Sequence, residues 1–128
     1  MIKKLLSLLK IGSPKVDLIL HANEVMPGEK ISGAFHVKGG WLPQKITRLE
    51  CDLVKELPGK KPEFVEPVTT ILMTRTIDAN AKKEIPFQYR LTKALPPTSA
   101  DVSYRFRTKL VFTDDTKSTD HDEIVVHN

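Results

Sequence analysis

One cysteine, Cys51, stands alone in 128 residues. No internal disulfide can form, so nothing in the chain calls for an oxidising compartment. No apolar run approaches the ~20 residues that a membrane-spanning helix needs. Residues 1–10 are apolar at Ile2, Leu5, Leu6, Leu8 and Leu9, but Lys10 ends the run and no small-residue cleavage site follows, which excludes a secretory leader. A cytoplasmic location is the expectation. Aromatic residues make up 6% of the chain and do not interleave with exposed basic ones, which excludes base stacking and nucleic-acid binding. Neither sign of charge dominates, and the net +4 is only a mild lean toward anionic partners.

The strongest positive signal lies over 25–38. Pro27-Gly28 supplies the two central residues of a type II turn, proline presetting φ and glycine accepting the positive φ that follows. Beyond it Ile31, Gly33, Phe35 and Val37 alternate with Ser32, His36 and Lys38, the period of a strand with one buried face. A glycine in the apolar row predicts a second segment packed close against it. Similar runs, separated by Pro, Gly, Asn and Asp, predict seven strands over 15–21, 30–38, 45–57, 64–77, 83–90, 103–113 and 122–127. Inward rows fall on Leu49, Cys51 and Leu53, on Ile85, Phe87, Tyr89 and Leu91, and on Tyr104, Phe106, Leu110 and Phe112. Pro86 cannot donate to a ladder and predicts an edge or the start of a strand. The outward apolar residues Ile19, Ala34 and Val111 are candidate seats for a docked segment.

Few residues point to chemistry. His121, Asp122, Glu123 and His127 are potential metal ligands, but neighbours along a strand face opposite ways and no recurring ligand spacing accompanies them, so neither metal nor other cofactor is expected. Asp114 and Asp115 suit a turn that satisfies its own backbone. Cys51 sits in an apolar row and predicts a small core side chain rather than a nucleophile. His21 and His36 fall on outward faces, where solvent exposure is the ordinary state of a histidine. Partner contact has better candidates. Arg105, Arg107 and Lys109 form a basic stripe on one strand face, which Arg90 joins if the fifth and sixth strands pair, and Trp41 follows Gly39-Gly40 in a turn, where it either meets a partner or caps the end of the core. Ile2, Leu5, Leu6 and Leu9 have helical spacing with Gly12 as a stop, a short amphipathic helix over 1–12 that docks on the domain or on a membrane surface. A single domain over 13–128 follows it.

In order along the chain, Ile11-Gly12 with Lys15-Val16-Asp17, then Pro27-Gly28-Glu29, Gly33, His36-Val37-Lys38-Gly39-Gly40 with Gln44 and Ile46, Ile85-Pro86-Phe87 and Leu95-Pro96-Pro97 resemble an arrestin-type N-terminal domain. The similarity is to the bacterial sporulation-control protein family, an arrestin-like group, and covers nearly the whole chain. It implies an all-β, immunoglobulin-like or arrestin-like antiparallel sandwich, and a non-enzymatic adaptor or regulator binding protein partners through sheet edges and loops. Members of this type usually carry a second sandwich, so the chain is expected to be either a one-domain relative or half of a two-domain protein. Self-association is expected through the long, threonine-rich run over 64–77, which has few features that guard against edge pairing. The alternative is a peripheral membrane protein held weakly by the N-terminal helix.

Overall fold

The computed structural model describes residues 12–128. The expected helix over 1–12, with Ile2, Leu5, Leu6 and Leu9, lies outside the described residues apart from Gly12. Eight strands follow: β1 (Lys15–Leu20), β2 (Glu24–Val25), β3 (Lys30–Lys38), β4 (Gln44–Glu56), β5 (Glu63–Ile77), β6 (Lys82–Arg90), β7 (Ser103–Phe112) and β8 (Lys117–Val126). They form two sheets, of order β1-β3-β6 and β2-β8-β7-β4-β5.

The turn before β3 has the expected geometry. Gly28 takes φ +87° and the Glu29 amide donates to the Met26 carbonyl at 3.0 Å. Along β3, Ile31, Phe35 and Val37 are buried and Lys30, His36 and Lys38 are exposed. Gly33 has no room for a side chain, because a Cβ there would run into the backbone of Ile19 and Leu20 on β1. Between the sheets the rings of Phe35, Phe87 and Phe106 meet edge to face, each step with centroids 5.3 Å apart. That seam joins β3 and β6 of one sheet to β7 of the other. Tyr104 is fully buried and its hydroxyl donates to the Pro96 carbonyl at 2.7 Å, which pins the proline-rich crossing to the core.

Three expectations need correction. An eighth strand exists, because β2 is only two residues long and too short to show a period; it pairs parallel with β8, so the sandwich is not wholly antiparallel. The last strand starts at Lys117 rather than at residue 122. Its inward positions there are Ser118, Asp120 and Asp122, whose polarity hides the alternation. Val111 occupies an outward position but is 3% exposed, so it offers no open seat, whereas Ile19 is 46% exposed.

Strand β5 departs most from regular geometry. Its pairing with β4 shifts register at three places, and each time the extra residues fall on β5. The partly buried residues that pack on the core are therefore Val65, Val68 and Ile71, spaced by three, before buried Met73. A strand can bury every third residue only by bulging between them. With Pro67 and Thr74 (φ +41°), these bulges interrupt the straight run of the edge on which self-association is expected.

Candidate functional site

The sheets meet along one flank, at β1 and β8, and part along the other, at β5 and β6, which do not pair with each other. The parted flank is a cleft of two adjoining hollows, about 360 and about 370 Å³, that share Met73, Arg75 and Lys83. Ile71 and Ile85 line it, and Leu72 at its rim is 77% exposed. Each flanking strand keeps one backbone edge without a ladder partner. Pro86 lies on this edge, opposite Ala34 of β3, where a missing donor costs least.

Arg105, Arg107 and Lys109 do share one face of β7, but acidic residues of β4 face them. Arg105 Nη1 meets Glu56 Oε1 at 2.6 Å, Arg107 Nη2 approaches Asp52 Oδ2 at 3.7 Å, and Lys109 lies opposite Glu50 in the register. Both arginines have a buried Nε without a hydrogen-bond partner. His121 on β8 sits across from Arg107, and burial together with the Arg105 charge holds its imidazole below the usual range. The stripe is thus part of a charge-compensated lattice. Arg90 does not belong to it: β6 pairs with β3 in the other sheet, and the Arg90 guanidinium donates to the Gly28 carbonyl at 2.8 Å.

The joined flank holds a group that the sequence reading missed. Carboxylate oxygens of Asp17, Asp120 and Asp122 lie within 4.8 Å of one another. Asp120 Oδ2 accepts the Leu18 amide of β1 at 2.9 Å, so a β8 side chain caps an edge donor of the opposite sheet. Burial, then the Asp120 carboxylate, pushes Asp122 up to about 8, and its Oδ2 is buried without a hydrogen-bond partner. Asp17 is raised by the same two causes. Three carboxylates offer a hard divalent cation an all-oxygen donor set; without one, a retained proton relieves the repulsion. His121 and Glu123 point away from this group and His127 pairs with Glu24 at 3.1 Å. The signal available in sequence was Asp120-His121-Asp122, whose period of two puts both carboxylates on one face.

Cys51 is fully buried, and burial pushes its thiol up to about 12, while Thr108 Oγ1 lies 3.6 Å from its sulfur. Asp114 closes the β7–β8 turn by accepting from the Thr116 amide at 3.1 Å and the Thr116 hydroxyl at 2.6 Å. Trp41 is 60% exposed at the corner where the described chain begins, and its amide donates to the Gly12 carbonyl at 2.8 Å. Among the described residues no helix is long and apolar enough to cross a membrane.

These features define a two-sheet β-sandwich domain whose exposed large apolar side chains, among the described residues, lie on edge strands and in turns. Comparison with known proteins gives the family. The chain belongs to the Spo0M family (SpoOM protein), whose model matches residues 2–128. It is 32% identical over 130 residues to the sporulation-control protein spo0M of Bacillus subtilis, covering 97% of this chain and 50% of that protein. The crystal structure of Spo0M from Bacillus subtilis superposes with a TM-score of 0.76 at 28% identity, over 92% of this chain and 51% of that one. The chain therefore spans about half the length of these relatives. A CARDB domain from Pyrococcus furiosus, solved with two metal ions, shares the fold alone, at TM-score 0.58 and 12% identity over 92% of this chain and 90% of that one.

Proposed function

We propose that this domain is a non-enzymatic regulatory module, related in role to sporulation control, that works in the cytoplasm by binding a protein partner along the cleft between β5 and β6. The observation that carries this reading is the parted flank itself: two strand edges without ladder partners enclose an apolar floor, and the most exposed large apolar side chain, Leu72, stands at the rim. An extended segment laid there gains main-chain hydrogen bonds from an edge and apolar contacts from Ile71, Met73 and Ile85. Arg75, Lys82 and Lys83 border the cleft, outnumber its Asp78 and Glu84 and make no ion pair among the described residues, which favours a segment with acidic side chains. The printed name of the Bacillus subtilis relative supports the link to sporulation, and the burial of Cys51 supports a role without nucleophilic catalysis. A second copy of the chain can use the same edge, although the bulges leave no regular stretch longer than Thr69 to Leu72, which limits self-association.

Affinity capture from the native host with the wild-type chain and with Leu72→Asp tests the reading. The expected result is a partner recovered by the wild type and lost with the variant, whose exposed position leaves the fold intact. A partner recovered equally by both would overturn the cleft as its site.

A further inference from the structure

Strand register arranges the outer face of the three-stranded sheet in rows. Lys15 of β1 lies directly opposite Lys38 of β3, and Lys38 lies directly opposite Lys82 of β6, so three like charges cross the sheet side by side. All three are exposed, and none makes an ion pair among the described residues. Like charges in directly opposed positions are destabilising, so this row carries a cost, and no carboxylate within ion-pair distance offsets it among the described residues. The next row, Asp17, His36 and Glu84, holds the nearest carboxylates along these strands, but both are engaged elsewhere. Asp17 lies with Asp120 and Asp122 on the flank, and Glu84 faces His36 at 3.9 Å.

Beside the row is an apolar corner. Trp41 and Leu42 are 60% and 43% exposed, and a concavity of about 470 Å³ places Trp41, Lys15 and Lys38 around one space. The Trp41 ring lies over Gly12, where a Cβ would come within 2.5 Å of the indole, so one ring face is backed by the chain. The chain enters the described structure at this corner, and residues 1–11 carry Lys3, Lys4 and Lys10 among leucines and isoleucines with no acidic residue.

We infer that this corner is a docking surface for an anionic lipid bilayer, with Lys15, Lys38 and Lys82 against the phosphate headgroups and Trp41 and Leu42 at the boundary with the acyl chains. The row crosses the outer face of the sheet, and an extended peptide could pair only with the outer edges of β1 and β6 at its two ends, not with the face around Lys38, which offers no edge. A bilayer needs none. It answers a broad, single-sign cationic row with a broad anionic plane, and amphipathic tryptophan favours that interface. Several weak signals acting together are what reversible membrane association requires. Lys82 borders both this surface and the β5–β6 cleft, whereas Lys15, Lys38, Trp41 and Leu42 lie outside the cleft, so the inference does not depend on the protein-partner reading.

Trp41 is the only tryptophan, so its fluorescence reports on the site directly. The full chain is mixed with vesicles of phosphatidylcholine alone or with added phosphatidylglycerol. A blue shift, together with quenching by brominated acyl chains, is expected only with phosphatidylglycerol and should reverse in high salt. Lys15→Glu, Lys38→Glu and Lys82→Glu combined should weaken partitioning at least about a hundredfold, given what each basic residue contributes near an anionic surface. The triple glutamine variant, which adds no negative charge, should weaken it by roughly a hundredfold. Unchanged emission with anionic vesicles would overturn the inference. So would full binding by both triple variants, which would place the contact in residues 1–11 alone, or a shift with polyglutamate but not with vesicles, which would assign the corner to an acidic polypeptide.

Discussion

Phe87 of β6 and Phe106 of β7 meet edge to face with centroids 5.3 Å apart, and this contact joins the two sheets through the middle of the core. Phe106 is fully buried and also meets Tyr89 at 5.9 Å. Phe106→Ala should destabilise the domain by about 3–5 kcal/mol, the range for truncating a buried aromatic. Urea unfolding followed by far-ultraviolet circular dichroism measures it. A loss under about 1 kcal/mol would contradict this packing.

Gly33→Ala tests the closeness of β1 to β3. The added methyl meets backbone atoms of Ile19 and Leu20 rather than a side chain that can rotate away, so the strands themselves must separate. A loss of about 1–3 kcal/mol is expected, as for overpacking in a tight core. Amide exchange along β1 should accelerate in the same variant.

The aspartate group on the joined flank gives a pH dependence of defined sign. Asp122 titrates near 3.8 when unfolded and near 8 when folded, so between these values the folded chain holds a proton that the unfolded chain releases. Its contribution is fully present below 3.8, falls as pH rises toward 8 and is flat above. Asp17, raised in the same direction, adds to this loss. Asp122→Asn, which keeps the shape of the protonated acid, should flatten the profile and raise the unfolding midpoint at about pH 9 more than at about pH 5. Equal effects at both values would contradict the assignment.

Tyr104→Phe should cost about 1–2 kcal/mol, since the Pro96 carbonyl loses its hydroxyl donor. The crossing is held at a second place, where the Thr98 hydroxyl accepts the Val126 amide at 2.8 Å. Proteolysis near residues 96–101 should become faster in Tyr104→Phe, and faster still when Thr98→Ala is added.

The parts of the fold that sequence revealed are those where one side chain in two is apolar. β3 matches the expected 30–38, and Leu49, Cys51, Leu53, Phe106 and Leu110 all lie in the core. The signal fails where an inward position is polar, as at Asp120 and Asp122, and where bulges replace the period of two by a period of three, as at Val65, Val68 and Ile71. Surface features depend on strand order, which periodicity does not carry. Arg90 and Arg105 look alike in sequence but lie in different sheets, and the row of Lys15, Lys38 and Lys82 exists only because β3 lies between β1 and β6.

The three bulges of β5 also decide which kinds of mutation this strand can accept. On its outward side, at Phe64 and Leu72, side chains can be exchanged with little loss of stability because they are exposed. Loss of a single residue is another matter. Deleting Thr70, in the regular run where no extra residue can take up the loss, would force every side chain on one side of the gap to turn to the opposite face or slide along β4, whereas deleting the bulge residue Val68 would leave the flanking pairs in register. For this strand the length between bulges is the constrained physical quantity, and a one-residue deletion there should be more damaging than most substitutions.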